Sequence, residues 1–185
     1  MTTLAQVRGW NLIGVPTFDA MAQAVWRFFE HATNEDGGED EVGAELPDHF
    51  ILLATARCRP GEIYGKIYEC QPDYVGLIQP EWVGQPSAMA DAAAVEALAR
   101  SIDAPLVIVG DAAAAVSDVL AERQETHLVL SVPIETLVVE LGRAGEATLE
   151  QGQVDNPLEL QPLYIAPSAA ERNAKLLSEH TERKV

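Results

Sequence analysis

The chain has 185 residues, enough for one domain with tails and a sizeable core. Hydrophobic residues make up 48% of it and charged residues 22%, ordinary values for a globular domain. The formal net charge of −17 argues against an independent grip on nucleic acid, which needs a basic footprint, although a partner can supply that charge. No apolar run reaches the roughly 18 residues of a membrane span, and neither end carries a signal-peptide pattern, so a cytoplasmic location is expected.

In chain order, Trp10–Val15 reads as a short apolar strand. Pro16-Thr17 then opens a helix, with Thr17 as N-cap and Asp19 placed to favour the positive end of the dipole. Phe18, Met21, Ala22, Val25 and Phe29 follow at helical spacing and predict one buried stripe. Thr33–Asp48 is rich in Glu, Asp and Gly and has too little apolar surface to offset its ordering entropy. It reads as a mobile acidic loop, and its carboxylates lack the spacing of an EF-hand calcium loop.

His49–Arg57 and Glu62–Cys70 form an expected hairpin through Arg59-Pro60-Gly61-Glu62, where proline sets φ and glycine takes the positive φ of a type II turn. Tyr74–Val83 is a third meander strand, and Pro80 within it points to a sheet edge. Ala88–Arg100 is an alanine-rich helix, and Leu106–Val109 a central parallel strand apolar on both faces. Gly110-Asp111 leads into a helix over Ala112–Glu122; His127–Val132 reads as a strand, and Ile134–Leu149 as a helix weakened by Gly142 and Gly145. Leu163–Ile165 reads as a last strand and Ser168–Lys184 as a polar tail helix, set apart from a lobe over residues 1–167. Three meander strands followed by crossovers give an α/β domain with a mixed sheet, the topology of one lobe of the actin-like, ribonuclease-H-like class.

Chemistry is sparse. Gly110-Asp111 has the position of a ligand-binding turn, where a strand's carboxyl end meets a helix N-terminus. Phosphate binding there wants more glycine and a basic residue, so Asp111 is expected to cap the helix instead, and both residues remain weak cofactor-site candidates. The histidines at 31, 49, 127 and 180 show no metal-ligand spacing, the serines no nucleophile-elbow context, and Glu62 and Glu69 fall on opposite strand faces. Cys58 and Cys70 lie at opposite ends of the hairpin, too far apart for a bridge. No catalytic residue, metal or cofactor is expected.

Three islands resemble the back lobe of the TsaB (YeaZ) family, bacterial proteins once grouped with glycoproteases. They are Leu12-Ile13-Gly14-Val15-Pro16-Thr17-Phe18-Asp19-Ala20-Met21-Ala22, then Gly61-Glu62-Ile63-Tyr64, then Val107-Ile108-Val109-Gly110-Asp111. Pro162-Leu163-Tyr164-Ile165 is similar to the family's closing strand, and the similarity spans about residues 4–168. The resemblance implies an actin-like fold and a non-catalytic role. TsaB-like proteins pair with the catalytic subunit TsaD and the ATPase TsaE to place threonylcarbamoyl on adenosine 37 of tRNAs that read ANN codons.

Two departures accompany it. The family's front lobe, with its Asp-Thr-Ser strand and Gly-Pro-Gly-Ser-Phe-Thr-Gly-Leu-Arg segment, is not found, and Met1–Gly9 resembles the end of the helix that would follow. A truncated, late-started or split product, impaired in docking TsaD, is the expectation. The family's Asp-Ala-Arg before the hairpin turn is here Ala56-Arg57-Cys58-Arg59-Pro60, and the Arg after its last strand is Ala166, so no binding residue carries over. The competing expectations are an actin-like ATP-binding or M22-peptidase-like enzyme, and an orphan domain that homodimerises through Trp10 and the first helix.

Overall fold

A computed structural model of the chain describes residues 11–34, 49–71, 74–100 and 105–160. The acidic segment from 35 to 48, Met1–Trp10, the strand expected at Leu163–Ile165 and the tail helix expected at Ser168–Lys184 lie outside the described residues.

β1 (Phe50–Arg59), β2 (Glu62–Gln71) and β3 (Tyr74–Gly84) form an antiparallel meander. β4 (Leu106–Gly110) and β5 (His127–Leu130) then add to the other side of β1, both parallel to it, giving the order β3-β2-β1-β4-β5. The hairpin turn is as its residues dictate: Gly61 has φ +79° after Pro60. Pro80 lies on β3, the edge strand, where a missing N–H costs no ladder bond.

Helices cover both faces. Because strand side chains alternate, Ile51 and Leu53 of β1, with Ile67 of β2 and Ile108 of β4, point to one face. There α2 (Pro86–Arg100) and α3 (Ala113–Glu122) bury Met89, Ala93, Val116 and Leu120. Phe50, Leu52, Ala54, Tyr68, Val107 and Val109 point to the other face, against Phe18, Ala22 and Val25 of α1 (Thr17–Asn34). Trp26 of α1 stacks on Phe50, with ring centroids 6.4 Å apart. The predicted stripe of α1 is therefore core. β1 is buried without interruption from Phe50 to Thr55, the consequence of being sandwiched between layers with strands on both sides.

α4 (Ile134–Glu150) runs unbroken through Gly142 and Gly145 and packs against α1. Glu140 is its one buried residue, its carboxylate held by Arg27 Nε at 3.0 Å and Arg143 Nη1 at 2.5 Å. That two-sided pairing satisfies a charge that would otherwise be expensive to bury.

Two expectations need correction. Within Trp10–Val15 the described residues form no strand: Leu12 makes a single antiparallel bridge, to Asp155. The Gly14 N–H is taken by the Asp155 side chain at 2.7 Å, so the ladder ends after one rung. Thr17 is not the N-cap of α1 but its first residue; the Pro16 carbonyl accepts from the N–H groups of Asp19 and Ala20.

Both cysteines are free thiols. Burial pushes the Cys70 thiol up to about 12, with the neighbouring Glu69 charge adding to the rise, whereas Cys58 is only half-buried at the bulge before the turn. An aromatic disulfide reagent at pH 8 is expected to titrate one thiol rapidly in the native protein and two in urea. Two fast native thiols would contradict the packing of β2.

Candidate functional site

The carboxyl ends of β1 and β4 meet at one end of the sheet, together with the start of β2, the end of β3 and the N-termini of α2 and α3. Here lie the two candidate residues, Gly110 and Asp111. Gly110 adopts φ +110°, and a Cβ built on it would stand 1.8 Å from the Thr55 carbonyl oxygen. Only glycine permits that approach. The buried Thr55 hydroxyl donates to the Val109 carbonyl at 2.8 Å, locking the same crossing from its other side.

Asp111 does not cap α3. The N-cap position is Ala112, which offers no side-chain bond, and Asp111 Oδ1 instead accepts the Arg57 backbone N–H at 2.8 Å. Arg57 Nε returns a bond of 3.2 Å to the Asp111 carbonyl. The residue continues the β1–β4 pairing one step beyond the ladder, as a clamp between the two strands. Sequence spacing placed Gly110 and Asp111 correctly at a strand–helix junction but not the Arg57 partner of Asp111, which lies 54 residues away.

Beside the clamp is an open cleft of about 420 Å³ lined by Arg59, Glu62, Glu81, Trp82, Val83, Gly84 and Gln85. Arg59 and Glu62 form an ion pair across the turn. Glu81 is part of a polar cluster that the sequence did not reveal. Lys66, on the α1 face of β2 and nearly buried, donates to Asp19 Oδ1 at 2.5 Å, and the Tyr68 hydroxyl donates to the same oxygen at 2.5 Å. Burial and the bond to Asp19 push the Tyr68 phenol far up, so it stays a donor. Glu81 is raised by burial, with Lys66 pulling it down and Asp19 pushing it up. The available signal was Tyr64-Gly65-Lys66-Ile67-Tyr68, whose alternation puts a cation between two phenols on a core face.

Among the described residues, His49 and His127 engage different partners. His49 pairs with Glu69 at 3.0 Å, and His127 accepts from or donates to Ser117 Oγ at 2.8 Å while its Nδ1 contacts the Glu125 carbonyl at 2.9 Å. The Ser117–His127 pair has the spacing of a nucleophile and base. Ser117 sits inside α3, however, where backbone N–H groups are consumed by the helix and cannot stabilise an oxyanion. Among the described residues no three His, Cys, Asp or Glu side chains gather as a metal site requires. Among them, too, no helix is long and apolar enough to cross a membrane.

A five-stranded mixed sheet in this order, with helices on both faces, defines an α/β domain with an actin-like fold. Solved structures that share it include these two. One is described as an uncharacterized protein with similarity to peptidase YEAZ from Pseudomonas aeruginosa, with TM-score 0.53 and 18% identity over 89% of this chain. The other is YeaZ from Pseudomonas aeruginosa, with TM-score 0.55 and 17% identity over 88% of this chain. This chain spans 63% of the length of each. No protein-family profile matches it, and no curated protein sequence does.

Two substitutions test this end of the sheet. Gly110→Ala is expected to lose about 3 kcal/mol in urea unfolding, since it adds left-handed backbone strain and the backbone oxygen it strikes cannot move aside without breaking the β1–β4 ladder. Glu81→Gln tests the polar cluster through pH. A carboxyl raised in the folded state is without penalty when protonated, and ionising it costs stability as pH climbs from the unfolded value through the folded one. The variant should therefore gain on the wild type between pH 4 and pH 7; an equal difference at both pH values would contradict the burial of Glu81.

Proposed function

We propose that the chain is a non-catalytic TsaB-like subunit supporting threonylcarbamoylation of adenosine 37 in tRNA, through association with a TsaD-like catalytic subunit and a TsaE-like ATPase. The observation that carries this reading is the YeaZ fold over nearly nine-tenths of the chain, in agreement with the sequence islands around Gly14, Gly61 and Gly110. The site chemistry supports it. Gly110 and Asp111 serve strand pairing, and the Ser117–His127 contact lacks oxyanion donors. A net charge of −17 suits a bacterial cytoplasmic subunit that leaves tRNA and nucleotide to its partners.

The test is co-expression with a TsaD-like protein, with and without the front lobe of YeaZ supplied as a separate polypeptide. Retention of the TsaD-like protein on the tagged chain, strongest with the front lobe present, is expected. Restoration of N6-threonylcarbamoyladenosine in a strain depleted of its own TsaB should accompany it, measured by mass spectrometry of tRNA nucleosides. No retention and no restored nucleoside in either arrangement overturns the reading.

A further inference from the structure

Gly142 lies in the interior of a 17-residue helix, where glycine is less favourable than alanine. Nothing within the described chain requires it: a Cβ built there meets no atom within 4 Å. Gly145 is equally tolerant, its Cβ reaching only ordinary contact with Val15 at 3.8 Å. With successive helical residues turned by about 100°, Ile134, Val138, Gly142, Gly145 and Leu149 share one sector about 80° wide. Ile134, Val138 and Leu149 are 64%, 58% and 43% exposed. The result is an apolar stripe about 22 Å long with a notch in its C-terminal half.

The charge beside that stripe has one sign. Glu135, Glu146 and Glu150 flank it and are exposed, whereas the helix's single arginine, Arg143, is engaged by Glu140. We propose that this face of α4 is a docking surface for an amphipathic helix of another protein, one that carries lysine or arginine beside its own apolar stripe. The notch lets the two helix axes approach closely, as glycine does at helix crossings, and the glutamates select a basic partner. A second copy of this chain fits poorly, because an antiparallel pairing about Gly142 sets the acidic flank of one helix toward that of the other, in a molecule already at −17. The proposal rests on α4 alone and stands apart from the threonylcarbamoyl reading.

The probe is a fluorescein-labelled 15-residue leucine–lysine peptide with its leucines at helical spacing, compared by anisotropy with a peptide of the same composition and scattered leucines. The ordered peptide is expected to bind the wild type at least tenfold tighter. Gly142→Leu should weaken the ordered peptide at least tenfold and leave the scattered one unchanged, while Gly142→Ala, measured alongside, raises the urea midpoint and confirms that the position is open. Equal affinity for both peptides, or unchanged affinity in Gly142→Leu, overturns the proposal. So does sedimentation that shows a wild-type dimer converted to monomer by Gly142→Leu, since the face would then belong to a second copy.

Discussion

The absence of a side chain at residue 110 governs how the sheet is assembled. β4 enters beside β1 with Leu106 opposite Ile51 and leaves with Gly110 opposite Thr55, where the backbone turns away into α3. The Thr55 carbonyl occupies the space a Cβ would fill, and its hydroxyl reaches back to Val109. With that crossing fixed, β1 has strands on both sides and helices on both faces, which is why its first six residues are all excluded from solvent. Asp111 extends the same junction to Arg57, so the strand ends are held together where the chain would otherwise splay.

The second organising contact is polar. Lys66 lies on the core face of β2, and Asp19 receives both its ammonium and the Tyr68 hydroxyl. Removing a cation from water is costly, and the pairing is worthwhile only because the acceptor is fixed by the first turn of α1. Asp19 remains partly solvated, so its contribution is screened more than that of Glu140, which is almost wholly enclosed between Arg27 and Arg143. Apolar packing seats α1 over the sheet, and these two charge contacts tie its first turn to β2 and its middle to α4.

Local signals were legible and distant ones were not. Pro60-Gly61 specified a turn through two dihedral preferences, and four consecutive apolar residues specified β4, because both depend on near neighbours. Pro80 marked the edge strand for the same reason. Asp111 followed by alanines suggested a helix cap, yet the nearest donor in space came from Arg57, and side-chain bonds of that reach leave no trace in spacing. Lys66 and Asp19 are 47 residues apart, and Arg27 and Glu140 are 113 apart. The apolar run through Leu12–Val15 read as a strand because periodicity records propensity, whereas a strand needs a neighbour, and among the described residues Leu12 bridges only to Asp155.

That pairing of Leu12 with Asp155, and of Arg27 with Glu140, joins the earliest described segment to the latest. During synthesis from the N-terminus, α1 emerges just before the first strand it covers but waits far longer for the helix that completes its anchorage. Its final placement is therefore complete only after Glu140 has been made, by which point the meander and its crossovers have already emerged.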